Sequence, residues 1–284
     1  MKYSMYGGFT ELVMREGVEK AAGKALELEF NGVEFLADKM WSDKEPFADA
    51  KEAAHAKRVL DEAGLDVSCY SVAVNLWNNP GVEEVMHRQI EIAAALGSPF
   101  VHHTLLPWLE LSEETPNRKE GILRAAEIAT RIAKDAEAYH ITCIYEDQGH
   151  YVNGVENFGT FWKIMKENCT NVGICGDLGN ILFVNETPED FLKVFVKDVC
   201  HVHVKDYLKK QDTQTPGKYW GKAEGDIWLR DTMVGSGVID FKACLDLLKQ
   251  AGYQGYYSLE LSHPEPYEEG VRQAMEYLNR RERQ

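Results

Sequence analysis

Four short apolar runs in this chain end on residues able to ligate a metal ion or carry a proton. In Val199-Cys200-His201-Val202-His203-Val204, strand alternation puts His201 and His203 on one face and Cys200, Val202 and Val204 on the other. The runs at 141–145, 172–176 and 256–259 end on Glu146, Asp177 and Glu260. One His with three carboxylates is an oxygen-rich donor set with one nitrogen. It suits a divalent metal, Mn²⁺ first, with Mg²⁺, Co²⁺ or Zn²⁺ as alternatives and soft Cu⁺ disfavoured. Taken singly, a strand-end carboxylate is as often a helix cap, and a strand His is more often a hydrogen-bonded core residue. Four in register on successive strands point to a joint site. A cation on a carbonyl and its neighbouring hydroxyl lowers the cost of an enediolate by several kcal/mol. Two carboxylates beside it can then move a proton, giving epimerisation or isomerisation.

Such convergence needs a sheet that curls on itself. Eight alternations of strand and helix run through residues 1–284 without a Pro/Gly/Ser-rich linker, which predicts an α/β fold, a single-domain (β/α)8 TIM barrel. The expected strands lie at 3–9, 32–37, 65–76, 99–104, 141–145, 172–177, 199–204 and 256–261, with one helix spanning about 10–28. After the seventh strand a long polar loop is expected at about 207–234; its length suits a lid, and Trp220 and Trp228 suit cover for a large or aromatic-bearing substrate. An open doubly wound sheet lacks its Gly-rich fingerprint here. A net charge of -15, from 46 acidic and 31 basic residues, disfavours nucleic acid as partner. The first residues contain no apolar signal segment, and no run approaches a membrane span, so a soluble, cytoplasmic chain without a membrane partner is expected. Six cysteines without CxxC spacing read as reduced thiols, four of them in strand-like runs.

The series Glu146, Asp177-Leu178-Gly179-Asn180, His201-Val202-His203-Val204-Lys205-Asp206, Gly235-Ser236-Gly237 and Ser258-Leu259-Glu260 resembles the xylose isomerase-like TIM-barrel superfamily, which holds sugar (phosphate) isomerases and epimerases together with endonuclease IV. The resemblance implies that Glu146, Asp177, His203 and Glu260 carry the metal. It also implies that Glu146 and Glu260 are the catalytic acid/base pair and that His201 stands behind the ligands or in the pocket. Further candidates for binding a small-molecule carbohydrate are His103, Trp108, Gln148, His150, Asn180, Lys205 and Lys209. Ketose 3-epimerases of the family carry His where this chain has Asn180, and Arg where it has Lys209, so a bidentate clamp is lost. That departure keeps a second activity open, metal-dependent lyase action on 3-keto-glycosides of the C-glycoside deglycosidase kind. Endonuclease IV needs histidines that are absent between Asp206 and His263. A non-catalytic sugar-binding barrel would not need both glutamates. The subunit state is open between a homo-oligomer and a pairing with a different subunit.

Overall fold

A computed structural model of the chain describes all residues except 78, 108, 113 and 263–265. Eight parallel strands, β1 (Lys2–Met5), β2 (Gly32–Asp38), β3 (Asp66–Ala73), β4 (Phe100–His103), β5 (Thr142–Tyr145), β6 (Val172–Asp177), β7 (Val199–Val204) and β11 (Tyr256–Leu259), close in the order β1-β11-β7-β6-β5-β4-β3-β2. The closing register sets Ser4 opposite Ser258, Ser258 opposite His203, and His203 opposite Asp177. The Glu260 N–H donates to the Val204 carbonyl at 3.0 Å, extending the ladder to the candidate ligand.

Nine helices among the described residues form the outer layer: α1 (Gly8–Glu16), α2 (Val18–Glu27), α3 (Ala50–Ala63), α4 (Val82–Ala95), α5 (Arg118–Glu137), α6 (Val155–Asn168), α7 (Pro188–Phe195), α8 (Phe241–Gln250) and α9 (Tyr267–Glu282). Their ends are chemically marked. Asp49 caps α3 by accepting from Lys51 N and Glu52 N, and the left-handed Gly64 closes it. Thr187 caps α7 with Pro188 in the first turn. On α5, Ile122, Ala125, Ala129, Ile132 and Ala136 recur at helical spacing and are buried against the sheet. Replacing Ala129 by Asp would set an unpaired charge into that contact.

Two expectations are corrected. The helix expected over 10–28 is two helices, because Gly17 takes a φ of 88° that only glycine adopts freely. The expected loop at 207–234 instead carries a three-stranded antiparallel sheet in the order β8 (Asp206–Gln211), β10 (Ile227–Thr232), β9 (Gly221–Ala223). Its period-two signal is short: Ile227 and Leu229 are buried, while Trp228 and Arg230 point the other way and are half-buried.

One apolar core fills the space between sheet and helices, with Phe9, Phe35, Phe158, Phe161 and Phe191 fully enclosed. Each such side chain contributes roughly 2 to 3 kcal/mol of burial. Within the barrel, Cys69, Ile144 and Cys175 form a separate small apolar cluster. All six cysteines are free, four of them buried. Among the described residues, no helix is long and apolar enough to cross a membrane.

Candidate active site

The barrel brings Glu146, Asp177, His203 and Glu260 together. The Nδ1 of His203 lies 3.2 Å from Glu146 Oε2, 3.4 Å from Glu260 Oε2 and 3.8 Å from Asp177 Oδ2. Strand ends β5, β6, β7 and β11 supply one group each. Asp177 is aimed by the backbone. Its Oδ1 accepts from the Gly179 and Asn180 N–H groups at 2.7 Å each, leaving Oδ2 toward the cluster. Gly179 permits that turn, since a Cβ there would sit 2.8 Å from the Tyr207 ring. Lys205 crosses the top, its Nζ 2.8 Å from Glu260 Oε1, 3.0 Å from Asp177 Oδ2 and 3.3 Å from Asn180 Oδ1. Tyr6 stacks on the His203 ring with centroids 4.9 Å apart.

The electrostatics separate the two glutamates. Burial pushes both up. At Glu146 the charges of His102, His203 and Lys205 outweigh burial and hold the carboxyl at about 2. At Glu260 burial, with Asp177 adding repulsion, wins over the pull of Lys205 and His203 and leaves the carboxyl at about 7. One glutamate is therefore a settled carboxylate and the other exchanges its proton near neutrality, a division suited to acid/base work. Burial disfavours the charged form of Lys205, but Asp177 and Glu260 hold its pKa well above the ordinary lysine value. His203 is likewise raised, against burial, by Cys175, Glu34 and Glu146.

Among the described residues, three overlapping sets could hold a metal ion, each with ligand atoms within 4.8 Å of one another: Asp177, His203 and Glu260; Glu146, Cys175 and His203; and Glu34, His201 and His203. The first set, completed by Glu146, fits a hard divalent cation best. Its three carboxylates are matched by one dication and the Lys205 ammonium, with His203 neutral. Burial pushes the Cys175 thiol well up, which disfavours the thiolate that ligation needs. The Glu34 set is already closed by hydrogen bonds.

Of the remaining candidates, Gln148, His150, Asn180 and Lys205 line a cavity of about 380 Å³ that includes Glu260. Gln148 Oε1 and Asn180 Nδ2 are buried there without a hydrogen-bond partner, one acceptor and one donor open to a ligand. Three candidates fall elsewhere. His103 has the opposite strand parity to His102; it packs edge-on to Tyr145, and its Nδ1 lies 3.0 Å from the Thr104 carbonyl. His201 sits behind His203, its Nε2 2.8 Å from Glu34 Oε2. Lys209 is exposed on β8 and donates to Asn185 Oδ1 at 3.0 Å. Trp108 lies outside the described residues.

The two tryptophans of the 207–234 excursion do not face the cavity, which corrects their assignment as substrate cover. Trp220 stacks with Lys210 and Arg230, and Trp228 Nε1 donates to the Asp212 carbonyl. Strand alternation turns Tyr207, Leu229 and Asp231 to the cavity instead, joined by Tyr219. Sequence reasoning also missed Glu34 and Asp147. Glu34 carries a readable signal, since it alternates with Val33, Phe35 and Ala37, which pack against helices, and so points into the barrel. Asp147 is fully buried with both oxygens unpartnered, and burial, with Asp177 and Glu146 adding repulsion, raises its pKa well above the carboxylate range.

Residues 22–281 match the family described as xylose isomerase-like TIM barrel, and the chain belongs to that family. Among curated relatives, an inosose isomerase of Halalkalibacterium halodurans is 25% identical over 187 residues, which cover 66% of this chain and 61% of the relative. An inosose dehydratase of Clostridium botulinum is 27% identical over 112 residues, covering 39% of this chain and 38% of that protein. The alignments thus span less than two thirds of either relative. Among solved structures, an L-ribulose 3-epimerase superposes with a TM-score of 0.71 at 16% identity, covering 95% of this chain and 90% of that one. At that identity the likeness is one of fold.

Proposed function

We propose that this chain is a divalent-metal-dependent enzyme of small carbohydrates, an isomerase or epimerase that moves a proton on carbon next to a carbonyl. The observation that carries the reading is the meeting of three carboxylates from three strands at one nitrogen of His203. Glu146, Asp177, His203 and Glu260 would hold the cation, Mn²⁺ in the first instance. Bound there, a cation supplies Lewis-acid polarisation of a carbonyl and its adjacent hydroxyl, which makes the enediolate accessible.

The chain's own groups do the rest. Glu146, held ionised, takes the proton from carbon. Glu260 returns one to the same carbon for epimerisation or to the neighbouring carbon for isomerisation. Lys205, fixed between Asp177 and Glu260, donates to the substrate oxygen as charge develops. Gln148 Oε1 and Asn180 Nδ2 orient hydroxyls through their open valences. The names of the two relatives, an isomerase and a dehydratase of inososes, support a polyhydroxylated carbonyl substrate.

A second reading, lyase action on a 3-keto-glycoside, is favoured by one feature. The cavity continues past Glu260 and Lys205 to an apolar wall of Phe183, Val184, Tyr219 and Leu229, where a second ring would be shielded. In that reaction Glu146 removes the proton α to the carbonyl, the electron pair expels the β substituent, and Glu260 protonates the leaving group.

One experiment addresses both readings. Mn²⁺-loaded protein is incubated in D₂O with a panel of inososes, ketoses and 3-keto-glycosides, and NMR follows deuterium on carbon and bond cleavage. Exchange is expected for at least one class, lost on chelation and reduced roughly 10²- to 10⁴-fold in Glu146→Gln or Glu260→Gln. Absence of both exchange and cleavage across the panel would overturn the proposal.

A further inference from the structure

Glu34 on β2 lies below the candidate ligands, is fully buried, and has both oxygens occupied. Its Oε1 faces His203 Nε2 at 3.0 Å and Ser71 Oγ at 2.6 Å; its Oε2 faces His201 Nε2 at 2.8 Å and Ser258 Oγ at 2.5 Å. A carboxylate that accepts four hydrogen bonds requires a hydrogen on every partner. Ser71 and Ser258 therefore donate, and both imidazoles present Nε2–H. Ser71 Oγ, its hydrogen spent on Glu34, has only lone pairs for His102 Nδ1, 3.0 Å away, so that nitrogen carries the hydrogen. One carboxylate thus sets the orientation of two imidazoles directly and that of a third through a serine.

We infer that Glu34 is the positioning residue that fixes Nδ1, and not Nε2, as the nitrogen His203 offers to a cation. The inference rests on the metal-site reading above. With Nε2–H held by Glu34 and the ring face covered by Tyr6, Nδ1 is the nitrogen left facing Glu146, Asp177 and Glu260; by the same rule its hydrogen, directed at Glu146 Oε2 3.2 Å away, is the one a cation displaces. A purely structural role, filling a buried polar gap, would be served equally by an isosteric amide. The amide differs in one respect: it can offer its own N–H to Nε2, which drives the ring hydrogen to Nδ1 and takes the ligand lone pair away.

The test compares wild type with Glu34→Gln by Mn²⁺ titration, by thermal unfolding, and by long-range ¹H–¹⁵N correlation of histidine-labelled protein loaded with diamagnetic Mg²⁺. The expected results are one equivalent of Mn²⁺ in wild type and an affinity lower by roughly 10- to 100-fold in E34Q, with the fold retained. The His203 signals should report Nε2–H in wild type. Unchanged Mn²⁺ affinity in E34Q, or Nδ1–H on His203 of the loaded wild type, would overturn the inference alone. A wild type that takes up no cation would overturn the metal reading, and this inference with it. Should E34Q not fold, Glu34→Asp, which keeps the charge but withdraws it from Nε2, is expected to lose affinity, and full retention would count against the inference.

Discussion

His203 joins two carboxylate environments, the closed one around Glu34 and the open one formed by Glu146, Asp177 and Glu260. The open one was legible in the sequence because its members end successive apolar runs, where strand parity and barrel closure do the placing. Glu34 is easily passed over although its parity is readable, because a single acid among five apolar or small residues resembles a solvent-facing position until the barrel closes over it. Parity also separates His102 from His103, a distinction that two adjacent histidines hide in a linear chain. The outward-facing His103 has a consequence for stability. Burial pushes its pKa down to about 4 from the unfolded value near 6.5. Between those values the unfolded chain binds the extra proton, so stability falls as pH drops from about 6.5 to 4 and is unaffected by this group above 6.5. His103→Phe, which keeps the edge contact with Tyr145, should remove up to about 3 kcal/mol of that acid sensitivity in denaturant titrations at pH 4.5 and 7.5. Parallel pH profiles for the two proteins would count against a neutral buried His103.

The strands and most helices followed from elementary signals: capping residues, left-handed glycines, and apolar stripes at period two or 3.6. The β8–β10 sheet did not, since β9 spans three residues and β8 pairs with a segment some twenty residues away, so its order comes from long-range pairing. What fastens it is local. The Asp206 carboxylate accepts from Tyr207 N at 2.9 Å, Gly235 N at 2.9 Å and Gly237 N at 2.8 Å, tying the start of the excursion to its end. Gly237 packs so closely on Asp206 and the Tyr207 carbonyl that a Cβ cannot be placed without moving them. Gly237→Ala should therefore release the staple, costing roughly 2 kcal/mol or more in denaturant unfolding. It should also expose residues 212–226 to limited proteolysis. Wild-type stability and protease resistance in this variant would show that the sheet is held by other contacts. Because this sheet supplies Tyr207, Leu229 and Asp231 to the cavity wall, and the loop between β8 and β9 supplies Tyr219, loosening it should raise KM more than it lowers kcat.

Closure of the barrel is what turns four distant residues into one site, and a chain of net charge -15 favours cations over anions as partners. Protons compete for the same groups. Glu260 sits at about 7, so below that pH a cation must displace its proton, and above it the carboxylate is ready. The raised His203 must also give up a proton, so Mn²⁺ affinity measured by calorimetry should fall as pH drops and fall more steeply below 7, where Glu260 adds a second competing proton. An affinity independent of pH between 5.5 and 8 would place the cation away from Glu260. The most direct measurement is anomalous diffraction from crystals soaked in Mn²⁺. The expected result is a single strong peak ligated by Glu146, Asp177, Glu260 and Nδ1 of His203; a peak bound elsewhere, or none at saturating Mn²⁺, would contradict the assignment of this barrel mouth as a metal-dependent active site.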